Sequence, residues 1–141
     1  MLQVEIKKLS PYFKMPDYGH PGDAGLDLYS LDDKELKPGE WYNFSIGFCL
    51  EFPEGYVALV KDKSGLAVKY GLHTMGGVFD AGYRGEYNVT LINLGKGSYQ
   101  IKKGDKLAQL VIIPCENVTF EEVQQLSDSS RGEGKFGSTG R

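Results

Sequence analysis

Short alternating apolar runs, each cut off by a turn rich in glycine or proline, constrain the fold of this chain more than any other feature. Leu2, Val4 and Ile6 share one face of residues 2–9, which predicts a first strand. Residues 10–23 hold Pro11, Pro16, Gly19, Pro21 and Gly22 and are expected to form a long loop. Asp23 to Ser30 reads DAGLDLYS, with Asp27 facing away from Leu26, Leu28 and Leu31. A turn is expected at Lys37-Pro38-Gly39-Glu40, and WYNFSIGFCLEF then reads as one long strand from Trp41 to Phe52. Pro53-Glu54-Gly55 leads into Tyr56–Lys61, and Gly95-Lys96-Gly97 into a short strand at Ser98–Ile101. Lys103-Gly104-Asp105 opens a buried strand, KLAQLVIIPC. Strands at this spacing indicate an all-β sandwich or barrel. Ser64 to Gly71 is the one place for a helix, with Ser64 at its start and Gly71 just past its end.

The 141 residues suffice for one domain with a real core. A net charge of -3 argues against non-specific nucleic-acid binding. A polyanionic ligand must then be held by local cations, backbone amides or a metal. Cys49 and Cys115 lie far apart in apolar runs, without metal-ligand spacing, and are expected to be buried, reduced thiols. The N-terminus has no apolar leader, and no run approaches the ~18 apolar residues of a membrane span. The expectation is a soluble, cytoplasmic protein that engages neither membrane nor nucleic acid.

Chemistry concentrates in a few places. Thr74 to Asn88, TMGGVFDAGYRGEYN, reads as a glycine-rich central hairpin with Asp80 in its middle, Tyr83 and Arg84 close by, and a return strand over Glu86–Leu94. It is either a plain turn or an acid presented beside an aromatic face and a cation. Lys63 before a helix start is a reasonable anion site. Gln109 interrupts an apolar strand, so its amide either pairs internally or reaches a site. From Ser127 the composition turns polar, and Arg131 to Arg141, RGEGKFGSTGR, is either a flexible tail or a phosphate wrap. It lacks the G-x-x-x-x-G-K-S/T register. There is no G-x-S-x-G and no H-E-x-x-H, and His20 and His73 read as loop residues. Two acids, several phosphate donors and no nucleophile fit water attacking a metal-bound polyphosphate, with a lone carboxylate as general base.

Five segments in order also resemble the trimeric deoxyuridine triphosphatase (dUTPase) family: AGLDLYS at 24–30, KSGLA at 63–67, GVFDAGYRGE at 77–86, GDKLAQLV at 104–111 and RGEGKFGSTG at 131–140. The resemblance implies a jelly-roll-like β-barrel or sandwich over residues 1–126 and a Gly-rich arm over 127–141 that closes the active site. It implies a homotrimer with shared sites that hydrolyses dUTP to dUMP and pyrophosphate with Mg²⁺. By the same resemblance, Asp80 is the general base and Asp27 holds a water of the Mg²⁺ shell. Lys63, Ser64, Gly65 and Gln109 would meet the phosphates, and Tyr83 the deoxyribose. The backbone around Thr74, Gly77, Val78, Phe79 and Asn88 would meet the uracil edge. Arg131, Lys135, Gly137, Ser138 and Thr139 would close on the phosphates, with Phe136 stacked on the base.

Three positions depart from the family pattern. Lys63 stands where Arg is usual and loses the planar fork. Lys135 stands where Gly is usual and is expected to restore phosphate charge; if the position needs a positive φ, Lys costs roughly 1 kcal/mol there. Phe79 stands where Ile or Val is commoner, a size change the core should absorb. A related family deaminates dCTP with a Glu on the return strand, where this chain has Thr90. A binding domain without catalysis is the remaining alternative, and it would need neither Asp80 nor Asp27.

Overall fold

A computed structural model describes residues 1–140; Arg141, the last residue of the expected arm, lies outside the described residues. Twelve strands and one helix follow in the order β1 (Glu5–Lys8), β2 (Asp17–Tyr18), β3 (Leu26–Tyr29), β4 (Lys34–Leu36), β5 (Trp41–Ser45), β6 (Phe48–Glu51), β7 (Tyr56–Asp62), α1 (Ser64–Tyr70), β8 (Leu72–Met75), β9 (Val78–Asp80), β10 (Asn88–Asn93), β11 (Tyr99–Ile101) and β12 (Lys106–Pro114). The largest sheet has the order β2-β3-β12-β7-β9, and a second has β5-β10-β8. Two pairs, β1-β6 and β11-β4, complete an open jelly-roll-like all-β fold in which every pairing is antiparallel.

The core lies between the sheets. Leu28, Ala58, Val60, Ala108 and Leu110 of the large sheet join Phe44, Val89 and Leu91 of the second, with Phe48 and Tyr87 among them. Alternation explains the membership: β10 buries Val89, Leu91 and Asn93 and leaves the residues between them half-covered. The expected turns are present, with Gly39 at φ 84°, Gly55 at 86° and Gly104 at 88°. Helix α1 ends as its sequence predicts, at Gly71 with φ 72° and its N–H bonded to the Ala67 carbonyl.

Several expectations are corrected. The run Trp41–Phe52 is two strands, because Gly47 at φ 79° breaks it and sends β5 and β6 to different partners. The central hairpin forms between β8 and β10, with Thr74 opposite Leu91, but its connection is no plain turn: β9, which carries Asp80, leaves it to pair with β7. Gly76 and Gly77, at φ 67° and 89°, turn the chain out of one sheet and into the other. Gly77 accepts a hydrogen bond from Val60 N–H at 2.8 Å, and a Cβ there would meet the Val60 carbonyl oxygen at 2.9 Å. The thiols are not both buried, since Cys49 is half-buried and Cys115, just past the end of β12, is exposed. His73 is a strand residue of β8 rather than a loop residue.

Candidate active site

Strand β3 sets the first cluster. Asp17, Leu26, Asp27 and Tyr29 come together because β2 and β12 flank β3, with Asp17 opposite Asp27 and Gln109 opposite Asp27 from the other side. Asp27 does alternate away from Leu28, but its face of the strand is covered as well, and the residue is only 4% exposed. Its carboxylate is held by two ammonium groups, Lys63 Nζ at 2.5 Å on Oδ1 and Lys106 Nζ at 2.6 Å on Oδ2. Burial would raise the Asp27 pKa, but the bonds from Lys106 and Lys63 outweigh it and hold the carboxyl below its ordinary value. Lys106 in turn is pushed above its ordinary range by Asp27.

Lys106 is a site residue that sequence reasoning missed. Simple alternation would put Lys106 and Gln109 on opposite faces. The register of β12 on β3 shifts between Lys106 and Ala108, so Lys106 lies opposite Tyr29 and Gln109 opposite Asp27. Tyr29 and Asp27 share a face, so this irregularity brings Lys106 onto the face of Gln109. The only signal available was its place in the GDKLAQLV run.

Asp62 was also missed. Its carboxylate accepts from Thr74 N–H at 2.7 Å, Thr74 Oγ1 at 2.6 Å and His73 Nδ1 at 2.8 Å. Burial opposes the charge, yet these bonds from His73 and Thr74 lower the Asp62 pKa. Both donors of Thr74 are thereby committed to Asp62. The Asp62 carbonyl accepts from Gln109 Nε2 at 2.8 Å, so the question left open for Gln109 has a mixed answer. One of its two amide hydrogens pairs internally and the other is free to serve a ligand. Gly25 makes room for this amide, because a Cβ there would run into Gln109 Oε1. Lys63, Lys106, Gln109, Asp27 and Gly25 line a cleft of about 340 Å³, with Ser64 and Gly65 exposed just past Lys63.

The second cluster is the excursion from Gly76 to Tyr87. Asp80 is exposed at the end of β9, and Val78 beside it is exposed as well. Tyr83 folds back over its own loop, its hydroxyl donating to the Glu86 carbonyl at 3.0 Å over Gly85, where a Cβ would collide with the ring. Phe79 stacks on Tyr87 at 4.2 Å with 15° between planes, and the Tyr83 ring packs 5.7 Å from Phe79. Arg84 ties the loop down, donating to the Ala81 carbonyl at 2.6 Å and lying 3.1 Å from Glu51. Asn88 opens β10 opposite Ser45.

Within one chain the two clusters do not meet. Asp80 pairs with Val57 and Gln109 with Lys61, on opposite sides of β7. Four residues of strand separate them by about 13 Å along β7, with a further ~10 Å across the sheet. The arm is apart from both: Arg131, Lys135, Phe136, Gly137, Ser138 and Thr139 are exposed and make only local turns. Among the described residues none but glycine has a positive φ, so Lys135 bears no backbone strain, while Gly137 sits at φ 80°. Another cavity, about 520 Å³, lies elsewhere, among Glu5, Glu51, Glu54 and Arg84, and its carboxylates suit no polyanion.

The donors of the first cluster can be tested against a metal. Among the described residues, no three His, Cys, Asp or Glu side chains are placed to hold an ion. A hydrated Mg²⁺ asks for less, since it keeps several waters and takes phosphate oxygens directly. Asp27 commits two of its roughly four lone-pair positions to lysine, which leaves others for such waters. The residues fit an outer-shell role. At Thr90, where a deaminating relative carries Glu, the hydroxyl donates to Asn43 Oδ1 at 2.9 Å and no carboxylate is available.

The sequence model of the dUTPase family matches residues 11–140. A deoxyuridine 5'-triphosphate nucleotidohydrolase of Clostridium tetani is 46% identical over 98% of this chain and 97% of its own length. That of Clostridioides difficile is 42% identical over 99% of each. Among solved structures, a mutant dUTPase of Staphylococcus bacteriophage 80alpha with dUpNHpp superposes with a TM-score of 0.91 at 32% identity over 99% of both chains. A mutant dUTPase of phage phi11 of S. aureus, described for its coordination of a structural Mg(II) ion, gives 0.82 at 30% over 89% of this chain and 99% of that one. Sequence and fold agree, and the chain belongs to the dUTPase family.

Proposed function

We propose that this chain hydrolyses dUTP to dUMP and pyrophosphate, with Asp80 as the general base. The carrying observation is an exposed carboxylate held on a clasped loop, in a chain that matches the dUTPase family over residues 11–140. Water adds to the α-phosphorus and gives its proton to Asp80, and the bond to the bridging oxygen breaks so that pyrophosphate leaves. Lys63, Lys106, Ser64, Gly65 and Gln109 bind and orient the phosphates. A Mg²⁺ held through water by Asp27 supplies charge neutralisation when bound; the phage dUTPases with dUpNHpp and with Mg(II) support the substrate and the ion. Tyr83, fixed by Glu86 and backed by Phe79, lies flat on the deoxyribose and leaves no room for a 2′-hydroxyl. Backbone groups of Gly77, Val78, Phe79 and Asn88, together with the Thr74 carbonyl, read the uracil edge. Such fixed groups reject cytosine by leaving buried polar atoms unpaired.

The working form is a homotrimer with shared sites. The separation of Asp80 from Gln109 supports it, because only a second copy can bring another cluster opposite each one. The exposed Val118, Phe120 and Leu126 ahead of the arm support it too, since such apolar surface asks for cover. Residues 127–141 close over the site with Arg131 and Lys135 on the phosphates, Gly137, Ser138 and Thr139 supplying amides and hydroxyls, and Phe136 on the base. No helix of the described chain is long and apolar enough to cross a membrane, and cysteines without a disulfide suit the cytoplasm. Pyrophosphate release across a panel of nucleoside triphosphates tests the reading: dUTP should be cleaved and dCTP, dTTP and UTP spared.

A further inference from the structure

Asp27 is nearly buried and carries two ammonium groups at once, Lys63 on one oxygen and Lys106 on the other. With Asp23 also on its wall, the cleft sets two carboxylates against two lysines and holds no surplus positive charge. A lysine held against a carboxylate keeps donors for an anion, but its charge is already matched. An anion that arrives alone therefore meets cations already engaged, and it brings repulsion toward Asp27 with it. A hydrated divalent cation changes this balance. Its waters offer Asp27 the hydrogen bonds that the lysines supplied, and the lysines can turn to the anion.

Lys63 is the lysine built to move. It stands one residue before Ser64 and Gly65 and is the N-cap residue of α1 without any side-chain cap bond. Its ammonium is a point charge on a flexible four-carbon stem, whereas Arg would lock into a planar fork on the carboxylate. Lys106 reaches the same cleft from β12.

We propose that Asp27 is a latch on Lys63, releasing it to a polyphosphate only when a hydrated divalent cation comes with the anion. The proposal rests on the reading of this cleft as the phosphate site and adds a coupling between its two ligands. Reciprocity follows: polyphosphate tightens Mg²⁺ binding by the same factor as Mg²⁺ tightens polyphosphate.

Calorimetry of the full chain with tripolyphosphate, with and without Mg²⁺, tests it. Asp27→Asn frees both lysines, so the variant should bind metal-free tripolyphosphate about tenfold or more tighter than the parent and lose most of the parent's Mg²⁺ dependence. A residue that only holds the metal shell would also relieve some repulsion when neutralised, but in the parent it would leave the Lys63 ammonium where it is when Mg²⁺ and tripolyphosphate bind; equal or weaker binding by Asp27→Asn overturns the latch. Should Asp27→Asn fail to fold, the parent still decides by ¹⁵N spectroscopy of the lysine ammonium groups. The Lys63 resonance, assigned by its loss in Lys63→Arg, should move when Mg²⁺ and tripolyphosphate are both present and stay put with either alone. Movement with tripolyphosphate alone, or none with both, overturns the proposal. Whether dUTP is the substrate is read separately, from pyrophosphate release by the parent. A parent that cleaves dUTP while Asp27→Asn binds no tighter loses only the latch; a parent that passes the binding test and ignores dUTP loses only the substrate.

Discussion

Asp80 and Gln109 flank the same strand, β7, one paired with Val57 and the other with Lys61. A proposed base and a proposed phosphate ligand so far apart cannot serve one substrate within one chain. Two inactive variants, Asp80→Asn and Gln109→Ala, should therefore rescue each other when mixed subunits are refolded together. Random mixing leaves about a quarter of shared sites with both residues intact. Recovery near that fraction is expected; none would place both residues in one chain's site.

Gly77 is where the chain crosses from β8's sheet to β7. At φ 89° and against the Val60 carbonyl, it has no space for a Cβ. Gly77→Ala should lower stability by about 2 kcal/mol or more, read as a fall in the denaturant midpoint. Gly82 meets nothing within 4 Å, so Gly82→Ala on the same loop is the control and should change the midpoint little.

Tyr87 is fully buried, and its hydroxyl has no hydrogen-bond partner among the described residues. Burial accordingly pushes its pKa up to about 12. Its ring does the packing, between Phe79 and Phe48. Tyr87→Phe should be neutral or stabilising by up to about 1 kcal/mol, because an unsatisfied buried polar group costs that much or more. A clear loss of thermal stability would mean that the hydroxyl has a partner after all.

The turns and the helix stop were legible because a glycine needing positive φ is a local property: Gly39, Gly55, Gly71 and Gly104 do what their neighbours in sequence ask. The strand partners were less so. Nothing within Trp41–Phe52 says that Gly47 breaks the run, because the reason is the different partners waiting for β5 and β6. The central hairpin was legible in its return strand, β10 on β8, but nothing local says that Gly76-Gly77 sends β9 across to β7. In the site, Asp27, Lys63 and Gln109 could be picked out by type and do come together. Lys106 could not, because a single irregularity in β12 decides its face. Asp62 was hidden because its bonds reach His73 and Thr74, 11 and 12 residues on.

Acid should loosen the fold through Asp27 and Asp62. Both pKa values lie below the ordinary 3.8 in the folded chain. Their contribution to stability is thus full above that value and is lost as pH falls through the folded values. In Asp62→Asn the stability curve below about pH 4 should be flatter than in the parent. Denaturant midpoints at pH 2.5 to 5 give the comparison, and parallel curves would deny Asp62 this role.

Every described residue from Ile113 to Gly140 is exposed, and Phe136 packs on none of the other described residues. Removing residues 127–141 should leave the melting temperature within about a degree of the parent. Turnover of dUTP should fall by about two orders of magnitude or more, since closing groups act on developing charge. Unchanged turnover would take the arm out of the site.

The most direct measurement concerns Asp80. Asp80→Asn keeps the shape of the residue and cannot take a proton from water. The variant should bind dUTP with Mg²⁺ about as tightly as the parent while pyrophosphate release drops by at least about 10³-fold. Release at the parent's rate would contradict the assignment of the base, and with it the account of how this chain acts.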